Sequence, residues 1–436
     1  MRSGAKRFVS FLILTALFLF APTPASASEP PDTSNTRNVY VYNFENDFVL
    51  YEKDAEDVIY PTSTVKMMTG LVALEHLSDR LDEKVTVTNE MVKNVTGNRI
   101  SLEAGEVVTV RDLLYATLSA GANDAANVLA YLVAGGVEEF VTLMNKKAIE
   151  LGALSTHYTN PNGMHDERMV TSALDTAKIA REAYESELFM EITSTAKYVM
   201  AEGTSSQRNI YNRNYLIAKN KEVKYYYPAA RGMNSGSTSE GGYSLVTTTK
   251  VNGLSYLCVI MGGGYDEESD TIYSYTTAKE LLEWASGAYG YINVIDTSKL
   301  VYELPVTLSN TVDYVALMPE KTLELYLPSD LDPENDLKYS CKLTAESLEA
   351  PVYEGQVVGY LTVSRGDTAL GTVNLVTKNG VERNEFLYVL SRIKNFTKSR
   401  FFIAALISAI VLSVVYIFGS AIYRARAPKR RRRYRR

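Results

Sequence analysis

The chain has 436 residues, 46% of them apolar, and a formal net charge of −6. This length and apolar content allow a large buried core and predict two domains. The two cysteines and three histidines show no metal-ligand spacing, so we expect neither a metal site nor a cofactor.

The first 27 residues have the composition of a secretory signal peptide, which we prefer to the alternative of a buried N-terminal helix. Three basic residues, an apolar run and a small-residue cleavage pattern follow one another: Arg2, Lys6 and Arg7, then Phe8 to Ala21, then Ala25-Ser26-Ala27. We therefore predict a signal peptide over residues 1–27 and a polar leader over residues 28–37.

The segment "VYVYNFENDFVLYE" alternates like two strands joined by a short turn. A helix is then predicted from Thr64 to Leu77, in the stretch "YPTSTVKMMTG" and beyond it. Ser63 precedes this helix, and Lys66 lies three residues later on the same helix face, within reach of the Ser63 hydroxyl. The pair is either a nucleophile beside its base or a plain N-cap with a solvated lysine. Spacing alone is weak support, because Ser-x-x-Lys also begins at three other serines: Ser3, Ser194 and Ser391.

The rest of the first domain, which we place at residues 38–288, mixes helices with strands. Strand-like and loop sequence spans residues 86–110, helical sequence spans 110–151 with a break at "SAGAND", and another helix spans 171–190. A hairpin is predicted in "YSLVTTTKVNGLSYLCVIMGG", because Asn252-Gly253 is a strong turn signal. The segment "TAKELLEWASGAY" closes the domain as a helix. This mixture predicts an α+β fold with helices packed on an antiparallel sheet.

The C-terminal part of the chain has a different character. Short alternating runs separated by Pro, Gly, Asp and Asn predict a small all-β domain over residues 289–380. Residues 381–400 are polar and basic, and we interpret them as a juxtamembrane connector. Residues 401–423 hold no charge and, at about 1.5 Å per residue, can cross a hydrocarbon core of about 30 Å. The basic tail, residues 424–436, favours a cytoplasmic C-terminus over a nucleic-acid patch.

This topology changes the interpretation of the charge. Residues 1–27 carry three positive charges and residues 401–436 carry nine, with no acidic residue in either, so the exported body has a net charge of −18. An acidic body argues against nucleic acid as a partner. Cys258 and Cys341 lie in apolar, strand-like sequence of different domains, and we expect buried free thiols rather than a disulfide.

Several segments together resemble one known family. They are "VIYPTSTVKMMTGLVALE", "LEAGEVVTVRDLLYATL" with "NDAANVLA", "NPNGMHDERMVTSALDTAKIAREA", "GGYSLVTTTKVNGLSYLCVIMGG" and "APVYEGQVVGYLTVSRGDTALGTVNLVTK". In this order they resemble serine D-Ala-D-Ala carboxypeptidases, the low-molecular-weight penicillin-binding proteins. The resemblance covers nearly all of residues 38–380. It implies a penicillin-binding, β-lactamase-like catalytic domain followed by a β domain.

The resemblance gives the first motif, Ser63-x-x-Lys66, its expected role. Ser63 attacks the carbonyl between two D-alanines, forms an acyl-enzyme and releases the terminal D-alanine, and water then hydrolyses the ester. Burial lowers the pKa of a lysine and leaves neutral amine to accept the serine proton. The helix N-terminus favours the developing negative charge.

The family's second motif, Ser-x-Asn, aligns with Gly121-Ala122-Asn123, which keeps Asn123 but lacks the serine. Ser119 lies two residues upstream, and the sequence leaves open whether the loop presents it to the cleft. The alternative interpretation is that Gly121 simply serves the turn. The third motif, Lys-Thr-Gly, aligns with Asn234-Ser235-Gly236. By resemblance, Ser235 offers a hydroxyl to the substrate carboxylate and Gly236 allows backbone approach.

The backbone N–H of Ser237 is expected to form an oxyanion hole with that of Ser63. The cation of the third motif is missing at Asn234. Arg231 is near, but strand alternation predicts that its side chain has the opposite parity and faces away.

The sequence therefore predicts a membrane-anchored D-Ala-D-Ala carboxypeptidase that trims peptidoglycan stem peptides, takes β-lactams as covalent ligands and lies outside the membrane with a cytoplasmic C-terminus. The alternative is a catalytically impaired relative that binds wall peptide as a scaffold, because two of three motifs are altered. A β-lactamase shares the first motif, but the trailing β domain and anchor argue against it.

Overall fold

A computed structural model describes residues 29–201, 206–219 and 222–426 of the chain. The predicted signal peptide and residues 427–436 of the predicted basic tail lie outside the described residues. The chain divides into two units. One comprises the described residues up to Gly290 together with Tyr326–Asp330, and the other comprises Tyr291–Leu325 and the residues from Leu331 onward.

The first unit is built on a five-stranded antiparallel sheet with the strand order β2-β1-β9-β8-β7. The described strands of this unit are β1 (Asn38–Asn43), β2 (Phe48–Lys53), β3 (Lys84–Thr86), β4 (Val107–Thr109), β5 (Lys197–Met200), β6 (Arg208–Tyr211), β7 (Ala230–Thr238), β8 (Gly242–Val251), β9 (Leu254–Gly263), β10 (Tyr265–Asp266) and β11 (Thr271–Ile272). Asn252 and Gly253 join β8 to β9 with φ of 51° and 83°, as a two-residue hairpin turn requires. The predicted hairpin is confirmed, and β7 is left as an edge strand.

Helices pack on both faces of this sheet. They are α1 (Val65–Leu77), α2 (Asn89–Val92), α3 (Val110–Leu118), α4 (Asn123–Ala134), α5 (Val137–Glu150), α6 (Ala173–Tyr184), α7 (Glu187–Ser194) and α8 (Tyr273–Ala288). Strand alternation separates two cores. Tyr40 and Tyr42 of β1 face the core that contains α1, whereas Val39 and Val41 face the core that contains α8.

Helix α1 is the central helix of the larger core. Nearly all of its residues are buried, on every side of the helix, which is typical of a helix enclosed by other elements. Each fully buried Leu or Met there contributes about 1.5–3 kcal/mol relative to exposure. Because Lys66 is the one charged residue among them, the core forces an ammonium group into an apolar environment.

The second unit confirms the predicted all-β architecture. Its strands are β13 (Tyr302–Thr307), β14 (Tyr314–Pro319), β16 (Lys338–Leu343), β17 (Leu348–Glu349), β18 (Val357–Arg365) and β19 (Thr368–Thr377), with a single-turn helix α9 (Pro333–Asp336) and most of β12 (Tyr289–Ile295), whereas β15 (Leu323–Pro328) is divided between the two units. Six of them form a sheet with the order β16-β18-β19-β14-β13-β17. Leu304, Leu317 and Val358 are among its buried core residues.

Two helices end the described chain, α10 (Glu385–Thr397) and α11 (Arg400–Arg426). Residues Arg400–Arg424 are long and apolar enough to cross a membrane. Helix α10 lies where the sequence predicted a polar and basic connector, and it also carries exposed apolar side chains such as Phe386 and Ile393.

Two expectations from the sequence need correction. The helix predicted over 171–190 is two helices, α6 and α7, because the chain turns at Glu185 and Ser186, and the Ser186 hydroxyl caps the second one by accepting from the N–H of Phe189. Both cysteines are free, but only Cys258 is buried, on the central sheet. Cys341 is exposed on β16.

Candidate active site

Ser63 lies in a 3₁₀ turn, Thr62–Thr64, that leads directly into α1. The backbone of Thr62 has a φ of 55°, a left-handed conformation that β-branched residues rarely adopt and that costs about 1–3 kcal/mol. Glycines surround the turn. A Cβ on Gly163 would lie 2.3 Å from the Thr62 carbonyl oxygen, and a Cβ on Gly236 would lie 2.3 Å from the Ser63 Cβ. The serine is thus held in a strained turn, between two backbone segments that approach it closely.

Lys66 is fully buried one turn further along α1. Its Nζ donates to the Ser63 Oγ at 3.3 Å and to the carbonyl oxygen of Asn162. Burial, and after it the charge of Arg213, lower the pKa of Lys66 to about 7, although the Asp124 carboxylate opposes this shift. A substantial fraction of neutral amine therefore lies beside the serine hydroxyl near neutral pH.

The loop of residues 160–164, "NPNGM", positions the second acceptor of Lys66. The Pro161 carbonyl accepts from the Thr69 hydroxyl of α1 at 2.6 Å, and the Asn162 amide donates to the Asn127 side chain at 3.0 Å. In the sequence this loop contributed only to the family resemblance, and Asn162 was not assigned to the site. The Asn-Pro-Asn-Gly sequence predicts a turn, and this is the sequence feature by which the loop could have been recognised.

The predicted second motif lies at the start of α4. The Asn123 side chain donates to the carbonyl of Thr96 at 2.8 Å, and its backbone N–H donates to the carbonyl of Asn98 at 2.8 Å. Gly121 has a φ of 66°, and its carbonyl accepts from the Asn98 amide at 2.8 Å. The positive φ supports the interpretation that glycine serves the turn here.

The predicted third motif lies on the edge strand β7, beside the nucleophile candidate. Gly236 packs against Ser63 so closely that a Cβ there would also lie 3.0 Å from the Ser63 backbone nitrogen. The phenol of Tyr275 lies near this strand; burial raises the pKa of the phenol, and the Ser235 hydroxyl opposes this rise. Asn234 is buried, and its Oδ1 has no hydrogen-bond partner in the described structure. The structure thus brings Ser63, Lys66 and the β7 backbone together, as the sequence predicted.

Comparison with known proteins identifies the family of the chain. A family model described as D-alanyl-D-alanine carboxypeptidase matches residues 25–264. The chain belongs to the D-alanyl-D-alanine carboxypeptidase family. A second family model, described as the C-terminal domain of penicillin-binding protein 5, matches residues 289–383.

Individual relatives agree with this assignment. D-alanyl-D-alanine carboxypeptidase DacF of Bacillus subtilis is 27% identical over 395 residues, which are 89% of this chain and 97% of that protein. DacB2 of Mycobacterium tuberculosis is 30% identical over 264 residues, or 60% of this chain and 85% of that protein. Penicillin binding protein 5 from Haemophilus influenzae has a TM-score of 0.57 at 23% identity, covering 82% of this chain and all of that one. At 23% identity, the similarity to this structure shows that the two chains share a fold.

The sequence predicts altered second and third motifs at Gly121 and Asn234, with Ser119 two residues upstream of Gly121. The structure shows where the Ser119 hydroxyl lies. The residue is 2% exposed, and its hydroxyl donates to the carbonyl of Ile192 at 2.9 Å. The hydroxyl is therefore engaged within the core.

The parity argument for Arg231 is wrong, because β7 contains a bulge between Gly232 and Asn234. The register places Arg231 opposite Thr248 and Asn234 opposite Val246. These partners are two residues apart on β8, so the two β7 residues share a face of the sheet. Arg231 is exposed at the start of the strand.

Sequence reasoning missed Arg213. This residue follows β6, is half-buried, and exerts a charge effect on Lys66. Its Cδ would lie 3.5 Å from a Cβ on Gly121, which places the arginine at the altered second motif. No local pattern marked it, because it is brought to the cleft by the fold.

The predicted leader also lies near the site. Residues 34–37 line a cavity of about 730 Å³ together with residues 237–239, Gly242, Tyr243 and 262–265. Ser237, the predicted oxyanion residue, is at its wall. In the described part of the chain, no group of His, Cys, Asp and Glu side chains is arranged to hold a metal ion.

Proposed function

We propose that this member of the family is a serine-type D-Ala-D-Ala carboxypeptidase that removes the terminal D-alanine from peptidoglycan stem peptides. The observation that carries the proposal is the Ser63–Lys66 pair. Its lysine is buried, has a pKa lowered to about 7, and donates to the serine hydroxyl at 3.3 Å. This geometry is that of a nucleophile with an adjacent general base.

The reaction proceeds in two halves. Neutral Lys66 accepts the Ser63 proton as Oγ bonds to the carbonyl carbon between the two D-alanines. The tetrahedral oxyanion is stabilised by the backbone N–H groups of Ser63 and Ser237. When the intermediate collapses, the C–N bond breaks, the leaving amine takes a proton from the Lys66 ammonium, and D-alanine departs. A water molecule then attacks the ester, with Lys66 again as base, and regenerates Ser63.

The other site residues position the peptide. The edge strand β7 has free backbone groups along which an extended peptide can lie as an additional strand. The Asn123 amide is assigned to the acyl-side backbone, and Asn234, Ser235 and Gly236 to the C-terminal side. β-Lactams enter the same cleft and acylate Ser63.

The length and apolar character of the C-terminal helix support a membrane location for this activity. Arg400–Arg424 spans the bilayer in the proposal, the basic residues after it remain in the cytoplasm, and the acidic body lies outside. Peptidoglycan is on the same outer side.

A second candidate function is a wall-peptide binder without turnover. It is favoured by Gly121 and Asn234, which remove a hydroxyl and a cation that the family motifs carry. Loss of a hydrogen bond from a charged group costs about 1.5–3 kcal/mol, or about 10- to 150-fold in rate. A missing proton-transfer hydroxyl costs about a further 10²–10⁴-fold.

Acylation of the purified full-length protein by a fluorescent penicillin tests the proposal. We expect covalent labelling that is lost in Ser63→Ala and retained in Ser391→Ala, a matched control with the same Ser-x-x-Lys spacing outside the cleft. Release of D-alanine from a stem-peptide analogue should follow the same pattern. If the wild-type protein is labelled no more strongly than Ser63→Ala, the carboxypeptidase proposal is contradicted. If Ser63→Ala also still complements a deletion strain, the result favours a wall-peptide binder without turnover.

A further inference from the structure

One edge of the six-stranded sheet in the all-β domain is open. Within the described residues, β16 is the outermost strand on its side of this sheet and pairs with β18 alone. Five of its six residues are exposed, and the sixth, Leu343, is half-buried. An edge strand presents a row of backbone donors and acceptors on which another strand can pair. This edge is therefore a candidate interaction surface.

Hydrogen bonding to β18 shows which backbone groups of β16 point outward. The Thr344 N–H donates to the Val358 carbonyl at 2.9 Å, one position beyond the end of β16. Hydrogen-bonded and non-hydrogen-bonded positions alternate along an antiparallel pair. The even-numbered positions from 338 to 344 therefore bond to β18. The N–H and C=O groups of Tyr339, Cys341 and Leu343 point away from it, toward the open edge.

The side chains of β16 alternate between an apolar and a polar face of the sheet. Cys341 lies opposite Leu361 of β18, which is buried. Tyr339 lies opposite Val363, which is also buried. The even-numbered side chains of β16, two lysines and a serine, lie on the other face. A strand added at this edge must keep the same alternation, since a shift of one residue would exchange its two faces.

A second copy of β16 itself fits this edge. Outward groups must meet outward groups, and under this condition two antiparallel registers pair five residues of each strand. One of them places Lys338 opposite Lys342 at both ends, and like charges directly opposite each other destabilise a strand pair. The other register places Cys341 opposite Cys341 of the second copy and sets no lysine opposite another. Charge therefore selects this second register.

The selected register also matches apolar with apolar and polar with polar side chains. Tyr339 of each copy lies opposite Leu343 of the other, within cross-strand contact distance. On the polar face, Ser340 lies opposite Lys342. A cavity of about 240 Å³ has Tyr339 in its wall, together with apolar residues that include Leu300. The pairing thus brings Leu343 of the second copy to the rim of this cavity.

We propose that β16 joins two copies of this chain into a dimer, by antiparallel pairing about a two-fold axis beside Cys341. The interface is isologous, because each strand offers the same groups to the other. The paired groups belong to the backbone, so the Cys341 thiols remain accessible on the sheet face. The contact is small, and we expect a weak, reversible dimer. The inference concerns the all-β domain and is independent of the chemistry at Ser63.

Cysteine cross-linking tests the register in membranes of cells that express the full-length protein. In a Cys341→Ser background, one tagged form carries Ser340→Cys and a second carries Lys342→Cys. These positions lie opposite each other, so the short thiol cross-linker dibromobimane should join the two forms when they are expressed together. Either form alone should lose the dimer band, because its own cysteines are two residues out of register.

Charge exchange at position 341 tests the association without a cross-linker. Cys341→Lys places two ammonium groups opposite each other, and Cys341→Glu places two carboxylates there, so each should lose co-purification of differently tagged copies. Expressed together, the two variants should restore it. Thr372→Lys is the matched control, because it adds the same charge at an exposed position of β19, away from the edge, and should leave co-purification intact.

Two results would overturn the dimer. One is cross-linking that is as strong with Ser340→Cys alone as with the mixed pair. The other is co-purification that Cys341→Lys leaves unchanged, or that is absent from the wild-type protein. The circular dichroism spectrum of Cys341→Lys should match that of the wild type, which shows that a lost dimer is not a lost fold.

Discussion

Lys66 sets the pH dependence expected of the site. Its pKa is lowered to about 7, and only the neutral amine accepts the Ser63 proton. The acylation rate should therefore rise with pH, from about a tenth of its maximum at pH 6 to a plateau above about pH 8. Stopped-time labelling with fluorescent penicillin between pH 5.5 and 9 measures this profile. A rate that falls with rising pH through this range contradicts Lys66 as the base.

The same lysine should cost stability. Because its folded pKa of about 7 lies below the ordinary lysine pKa of 10.5, the unfolded chain binds the proton more readily. The folded state therefore loses stability as pH falls from about 10.5 to 7, by on the order of 5 kcal/mol, and the loss is complete below pH 7.

Lys66→Met keeps the side-chain length, removes this charge and leaves two hydrogen bonds unmade, each worth about 1 kcal/mol. We expect the variant to be inactive but about 1–3 kcal/mol more stable than wild type at pH 6, with the difference shrinking toward pH 10. Denaturant unfolding at the two pH values measures it. If Lys66→Met is less stable than wild type by the same amount at pH 6 and at pH 10, burial of the Lys66 charge does not destabilise the folded protein.

At the level of residues, the sequence predicted the chemistry that lies within one turn of helix and missed what distant segments contribute. Ser63 and Lys66 are three residues apart, so their contact follows from helix geometry. Asn162 and Arg213 lie about 100 and 150 residues further along the chain. The sequence around Asn162 indicates a turn, but local sequence does not show that the fold brings either residue close to Lys66. Ser119 shows the converse, since only packing reveals that its hydroxyl points to Ile192.

At the level of elements, the contact between β7 and the Ser63 turn defines the cleft. Gly236→Ala would place a Cβ 2.3 Å from the Ser63 Cβ, so strand and turn must separate. We expect a loss of about 1–3 kcal/mol of stability and at least about a 100-fold loss of acylation rate, because the nucleophile is displaced.

Gly287→Ala is the control for that substitution. Gly287 lies in α8, and nothing lies within 4 Å of the position that its Cβ would take. Alanine there should therefore stabilise by about 0.5–1 kcal/mol and leave labelling unchanged. Thermal unfolding measures the stability of both variants, and labelling with fluorescent penicillin measures their acylation rates. Unimpaired labelling of Gly236→Ala would show that the Ser63 turn can accommodate a Cβ at position 236.

Elements with strong periodicity or turn chemistry were predictable. The alternation in β1 and the Asn252-Gly253 turn follow from local sequence, and both are present. The bulge in β7 was not predictable, because it depends on the register with β8, and it reversed the expected parity of Arg231. The positive φ of Thr62 was likewise not predictable from its own residue type. Gly163, Gly236 and Gly241 approach this turn so closely that a Cβ on any of them would clash with Thr62 or Ser63.

At the level of the whole molecule, charge and apolarity are segregated along the chain. The acidic body precedes an uncharged helix, and nine basic residues follow it within the last 13 positions. Composition alone predicted this order, because membrane insertion depends on length and apolar content rather than on tertiary contacts. The orientation across the membrane is a further prediction, which accessibility of side chains on either side can test.

The two free cysteines offer a direct measurement of that orientation. Cys341 is exposed on β16, whereas Cys258 is buried in the central sheet and burial raises the pKa of its thiol. If the body lies outside, a membrane-impermeant maleimide added to intact spheroplasts should label the protein through Cys341, and Cys341→Ser should abolish the signal. A cysteine placed in the tail by Arg431→Cys, in the Cys341→Ser background, should be labelled only after lysis. The opposite result would be labelling of the tail cysteine in intact spheroplasts, together with no labelling of Cys341 in the wild-type protein. It would reverse the proposed topology and place the cleft on the side away from peptidoglycan.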